Sequence, residues 1–173
     1  MAASSWQAQV YAALKAARIT QLGYVPDAGH AELIEAAHAD PEMRAVVLTT
    51  EEEGIALAAG AWLGGQRAVL LIQSSGVGNC VNMLSLIATC RFPLLALVTM
   101  RGEWAEFNPW QVPMGRATPK AFEIMGVQVQ RIDDGAQAAP TVAAAAAMAF
   151  EGDQAIAVLL SQRMLGRKTW VEK

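Results

Sequence analysis

Four segments of this sequence are apolar on both of their alternating faces, with longer helical stretches between them: 45–48 (AVVL), 68–72 (AVLLI), 94–99 (LLALVT) and 155–160 (AIAVLL). A strand without a polar face has to be covered on both sides. Such strands alternating with helices predict an α/β fold built on a mostly parallel sheet. Right-handed crossovers then restrict the topology to a doubly wound sheet with helices on both faces. Shorter segments at 22–25 and 127–131 bring the expected count to about six strands. Apolar periodicity predicts helices over 4–18, 30–39, 51–63, 76–89, 118–125 and 137–150. Ser4 with Gln7, and Thr50 with Glu53, fit the spacing of capping boxes.

At 173 residues, with no Ser/Gly-rich linker, the chain is expected to form one domain over 1–173. Charged residues are 17% of the chain, against about 25% in ordinary domains. That deficit implies a large core or surface hidden against other subunits, so self-association is expected. A net charge of −3 gives no electrostatic footprint for nucleic acid. No apolar run reaches the length needed to cross a bilayer. The first residues lack the basic region and apolar core of a signal peptide, and a cytoplasmic location is the expectation. Cys80 and Cys90 have no metal-ligand spacing and are expected to be buried thiols. His30 and His38 fit no zinc pattern and read as ordinary helix residues.

In doubly wound sheets ligands bind beyond the carboxyl ends of the strands. Those ends here carry VPDAG, TTEEEG, QSSGVGN and TMRGEW. The second is unusual: three glutamates precede eleven residues, Gly54 to Gly64, without a charge. Glu51 heads an apolar stripe through Ile55, Ala58 and Trp62, and Glu52 heads one through Ala56, Ala59 and Leu63. A helix apolar all round is expected to be buried on all sides, one of them against another subunit. First-turn acids suit the helix dipole, which accounts for Glu53. A carboxyl group in a water-poor seam can also share a proton with a ligand nitrogen. In QSSGVGN the glycines at 76 and 78 let a ligand approach the backbone closely. A dinucleotide site is a weaker alternative. The third glycine position is Val81, and no acidic residue lies between Glu53 and Glu103 to hold a ribose. GxSxG is absent, so a hydrolase elbow has no support.

In these residues the sequence resembles the pyrimidine-binding domain of thiamine-diphosphate enzymes. The shared pattern is a Glu, a small-residue helix with Gly60 nine positions on, a strand, and S-G-x-G. Within that family it is most similar to the alpha subunits of sulfopyruvate decarboxylases and the matching half of phosphonopyruvate decarboxylases. The resemblance runs through Val25-Pro26-Asp27, EEEG, QSSGVGN, Arg101-Gly102 and QVPMG (111–115). It implies that Glu51 is the catalytic glutamate, hydrogen-bonded to N1′ of the cofactor's aminopyrimidine so that the 4′-nitrogen can take the thiazolium C2 proton. It implies cofactor contacts from Ser75, Gly76, Val77, Gly78 and Asn79, and a 2-oxo acid decarboxylation in which the cofactor stores the electrons.

The family's diphosphate and Mg²⁺ site, GDG with a later Asn, has only Gly152-Asp153-Gln154 as a partial match. The resemblance therefore places metal and diphosphate binding on a beta-type partner subunit, with no metal ligand in this chain. Asp27, Arg101 and Arg116 are the substrate candidates, the arginines because guanidinium suits a sulfonate or phosphonate. The loop EWAEFNPW departs from the subfamily pattern and leaves the 2-oxo acid open. A non-catalytic binding or regulatory module of the same fold is the second reading.

Overall fold

The computed structural model describes residues 5–168. Six strands form one sheet: β1 (Ile19–Tyr24), β2 (Arg44–Val47), β3 (Arg67–Gln73), β4 (Leu94–Thr99), β5 (Gln128–Ile132) and β6 (Ala155–Leu160). Their spatial order is β2-β1-β3-β4-β6-β5 and every pairing is parallel. The doubly wound α/β expectation holds. β4 and β6 are buried at every position, as their unbroken apolar sequences require.

One face of the sheet is covered by α1 (Trp6–Ala16), α2 (Ala31–Ala39) and α7 (Ala138–Gly152). The opposite face carries α3 (Glu53–Leu63), the short α4 (Val77–Cys80) and α5 (Ser85–Cys90), and α6 (Val112–Ile124). A last short helix, α8 (Gln162–Leu165), follows β6. The alanine-rich α7 lets its backbone sit close to the sheet, and Ala145, Ala146 and Ala149 are all buried.

Several local expectations change. The capping box expected at Ser4 lies outside the described residues; Ser5 caps α1 instead, its hydroxyl accepting from the Ala8 amide at 3.2 Å. α3 begins at Glu53, after a tight turn in which the Glu53 and Gly54 amides donate to the carbonyls of Thr50 and Glu51. The box expected of Thr50 and Glu53 does not form: Glu53 accepts from the Thr49 amide at 2.8 Å, and the Thr50 hydroxyl donates to Glu52. The helix expected over 76–89 is broken between α4 and α5. Ser85 there turns its hydroxyl onto the Asn82 carbonyl at 2.7 Å, a local bond that competes with helical pairing.

α6 starts at Val112 rather than near Thr118, with Pro113 in its first turn, where a missing amide costs nothing. Cys80 is buried but Cys90 is exposed. His30 is no ordinary helix residue. It is fully buried, with Nε2 at 3.1 Å and 3.3 Å from the carbonyls of Leu97 and Ile72, so the ring links β3 to β4.

α3 is not covered all round within this chain. Gly54, Ile55, Ala58 and Ala61 face the sheet, while Ala56, Gly60 and Leu63 form an exposed apolar stripe. Gly54 touches the sheet closely enough that a Cβ would lie 2.2 Å from Leu70 Cδ1 and 3.1 Å from Leu48 Cδ1. Gly54→Ala should therefore destabilise the fold by about 1–2 kcal/mol, overpacking outweighing the gain in helix propensity. A urea titration showing equal or greater stability would contradict this packing.

Candidate functional site

β1 and β3 are neighbours although β2 lies between them in sequence, so the chain reverses direction across the sheet at their carboxyl ends. Crevices form at such points, and the residues singled out from the sequence gather here. Register brings Gln73 opposite Thr99 at the ends of β3 and β4. Both reach Asp27, in the loop after β1: Gln73 Nε2 donates to Oδ1 at 2.8 Å and Thr99 Oγ1 to Oδ2 at 2.7 Å. The Gly29 amide adds a third bond to Oδ2 at 3.0 Å. Burial works to raise the Asp27 carboxyl pKa, but the Thr99 and Gln73 bonds, aided by nearby His30 and Lys168, hold it below the usual range. Asp27 is thus a fixed, ionised carboxylate at the crevice floor.

Glu51 stands in the turn that leads into α3 and packs against the segment after β3. A Cβ on Gly76 would lie 2.2 Å from the Glu51 carboxyl carbon and from Oε1. Only glycine leaves room for the acid to lie flat on the 74–76 turn. Asn79 Nδ2 donates to Glu51 Oε2 at 2.8 Å, whereas Oε1 has no donor among the described residues. Cys80 lies beneath. Burial first, and then the Glu51 and Glu52 carboxylates, push its thiol up to about 12, so it is an inert wall of the site. Thr50 lowers the Glu52 pKa through its hydroxyl bond and turns that side chain to a local role.

The rest of QSSGVGN divides by position. Ser74 is buried; its hydroxyl accepts from the Arg101 amide at 3.0 Å and its carbonyl from Thr118 Oγ1 at 3.2 Å. Ser75 is exposed and donates to Gln73 Oε1 at 2.8 Å, extending the network toward Asp27. Val77 is fully buried, and Gly78 and Asn79 face outward.

The Arg101-Gly102 and QVPMG segments meet because two glycines allow backbones to cross. A Cβ on Gly102, at φ +76°, would lie 2.3 Å from the Gln111 carbonyl oxygen, and one on Gly115 would lie 2.0 Å from that of Arg101. The crossing folds residues 101–111 into a compact cap. Arg101, expected as an anion-binding group, spends its guanidinium on Glu106 instead: Nε reaches Oε2 at 2.7 Å and Nη2 reaches Oε1 at 2.5 Å. Arg116 is exposed on α6.

Sequence reading missed Gln162, a buried residue just past β6 that ties the cap to the sheet. Its Oε1 accepts from the amides of Glu103 and Trp104, and its Nε2 donates to Glu106.

Comparison with known proteins identifies the family. Residues 5–111 match the family described as thiamine pyrophosphate enzyme, N-terminal TPP binding domain. The chain is 37% identical over 152 residues to the sulfopyruvate decarboxylase subunit alpha of Methanothermobacter thermautotrophicus, covering 87% of this chain and 92% of that one. It is 35% identical over 129 residues to the phosphonopyruvate decarboxylase of Streptomyces viridochromogenes, covering 73% of this chain and 32% of that longer protein. Among solved structures, a 2-oxoglutarate:ferredoxin oxidoreductase from Magnetococcus marinus superposes with a TM-score of 0.72 at 14% identity, covering 96% of this chain and 33% of the other. That last likeness speaks to fold alone. This chain belongs to the thiamine pyrophosphate enzymes, and the end of its sheet that carries Glu51 lies within their N-terminal TPP-binding domain.

Proposed function

We propose that this chain is the pyrimidine-binding subunit of a heteromeric 2-oxo acid decarboxylase, acting on a substrate of the sulfopyruvate or phosphonopyruvate type. The observation that carries the reading is the Glu51 carboxylate, laid on Gly76 with one oxygen held by Asn79 and the other without a donor among the described residues. That arrangement suits a flat heterocycle whose ring nitrogen meets Oε1. The turn at Gly76 and the outward-facing Gly78 and Asn79 leave its edge accessible.

Bound thiamine diphosphate would supply the electron sink that lets a 2-oxo acid release carbon dioxide. Glu51 would hold and share a proton at the ring nitrogen, which is acid–base catalysis by a positioned carboxyl. Asn79 orients Glu51. Gly76, Val77 and Gly78 would supply the backbone wall for the ring, and Ser75 joins that wall to Asp27 through Gln73. Asp27, ionised and held by three donors, presents a fixed negative charge to the crevice.

In this reading Mg²⁺ and the diphosphate fall to a beta-type partner carrying GDG and a later Asn, since this chain offers only Gly152-Asp153-Gln154 toward that pattern. The relatives called subunit alpha support a heteromer. So does the exposed apolar stripe of α3, which starts at the turn bearing Glu51 and offers Ala56, Gly60 and an 88%-exposed Leu63 for the partner to cover. No helix among the described residues is long and apolar enough to cross a membrane.

The test is co-expression with such a partner and measurement of carbon dioxide release over a panel of 2-oxo acids with added thiamine diphosphate and Mg²⁺. The assembled pair should turn over at least one of them, and neither subunit should do so alone. A complex that binds the cofactor yet releases no carbon dioxide would favour the non-catalytic module.

A further inference from the structure

We propose that a small cavity between the ends of β1, β4 and β6 is an anion subsite, in which Lys168 and Arg167 take the second negative group of a dianionic 2-oxo acid. The inference rests on the decarboxylase reading above and deepens it. The cavity measures about 200 Å³, with Asp27, Thr99, Arg101, Gln162, Arg167 and Lys168 among its lining residues. It opens at the sheet's second reversal, where β6 inserts between β4 and β5. Such a volume holds a small metabolite's end group with a few waters, at about 30 Å³ for each water.

The charges decide what enters. Arg101 is neutralised by Glu106 in a pair whose side chains are 9% and 4% exposed. Asp27 already receives hydrogen bonds from Gln73, Thr99 and the Gly29 amide. Lys168 forms an ion pair with Asp27 at 3.6 Å, beyond good hydrogen-bond distance, so its charge is shared with that carboxylate while its three donors make no short bond to it. Arg167 is exposed and has no carboxylate partner among the described residues. Lys168, in a long ion pair with Asp27, and Arg167 thus face a cavity containing one carboxylate that three other donors already satisfy. The surplus is positive, and an incoming anion would draw Lys168 from a long contact into short ones. A sulfonate or phosphonate on C3 of a 2-oxo acid has the size and charge this arrangement accepts. A methyl group there would leave Arg167 without a partner and Lys168 on its long contact with Asp27 alone.

The test has two arms. The first uses the full chain without a partner, so it needs no turnover. Phosphonoacetate and sulfoacetate are titrated against acetate while backbone amide resonances are followed by NMR. Residues 27–29, 99–101 and 166–168 should shift with the dianions, shift far less with acetate, and cease to respond in Lys168→Met. Equal responses to acetate, or an unchanged response in the variant, would overturn the subsite.

The second arm uses the assembled enzyme. Lys168→Met should raise KM for a C3-sulfonated or C3-phosphonated 2-oxo acid by about tenfold or more, the worth of one charge-assisted hydrogen bond. KM for 2-oxobutanoate and both kcat values should stay nearly constant, and Lys168→Arg should retain most of the affinity. A parallel loss on both substrates would mark Lys168 as structural. Binding without turnover would sink the decarboxylase reading and spare the subsite; turnover without discrimination would do the reverse.

Discussion

Glu51→Gln should lower carbon dioxide release by the assembled enzyme by about 10²–10⁴-fold, the usual loss when a positioned acid–base group is removed. Glutamine keeps the length of the side chain and an oxygen for Asn79 Nδ2, which now reaches Oε2 at 2.8 Å. It also keeps the flat amide-sized group lying on Gly76. Packing is therefore preserved, and thermal stability should change by no more than about 0.5 kcal/mol, as for a substitution that disturbs no core contact. What is lost is the ability to hold and share a proton at a ring nitrogen. Gly76→Ala should give a related defect by another route. Its Cβ would fall 2.2 Å from the Glu51 carboxyl, so the acid must move although it remains an acid. Gly60→Ala is the contrasting control in the isolated chain, since nothing lies within 4 Å of a Cβ there. Co-purification of partner and cofactor with the Glu51→Gln variant, together with wild-type turnover, would remove Glu51 from the chemistry. Failure to assemble would instead show that the side chain holds the interface.

The sheet was legible because β3, β4 and β6 have no polar face, and only a covered parallel sheet accommodates such strands. β2 was read the same way from AVVL, but it lies at the sheet edge and is only partly covered, with Val47 61% exposed. β5, with burial mixed along its length, was readable mainly by its place in the alternation. Helix limits failed where punctuation residues had a second use. Pro113 reads as a breaker but sits in a first turn. Gly115, within QVPMG, marks where α6 crosses the Arg101 carbonyl. Of the candidate site, EEEG and QSSGVGN could be read because each lies within one local turn. Arg101 looked like a free cation because nothing periodic in 101–111 announces that the chain folds back and brings Glu106 onto it. Gln162 and Lys168 reach the site only through the β4–β6 neighbour relation, a long-range pairing that no local pattern records.

The same cap yields the largest expected effect on stability. Glu106 accepts from the Arg101 fork, from the Gly102 and Asn108 amides at 3.1 and 3.0 Å, and from Gln162 Nε2 at 2.9 Å. The Arg101 bonds chiefly, aided by these other donors and against the opposing pull of burial, hold its carboxyl pKa down at about 2. A folded-state value below the unfolded one means that ionised Glu106 stabilises the native state. The contribution is complete above the ordinary carboxylate range, near 4.5. It is lost as the pH falls from there through about 2. Glu106→Ala removes the acceptor and leaves Arg101 buried and unpaired. Breaking a buried pair in this way costs about 3–5 kcal/mol, or roughly 10 °C in Tm for a chain of this length. Replacing both members, Arg101→Met with Glu106→Leu, should restore most of that loss, because no charge is left stranded. The double variant should also lose less stability than the wild type between pH 4.5 and 2. Calorimetry across that window separates the possibilities. A Glu106→Ala variant as stable as the wild type, or identical acid limbs for wild type and double variant, would show that the cap is held by backbone crossing at Gly102 and Gly115 rather than by charge.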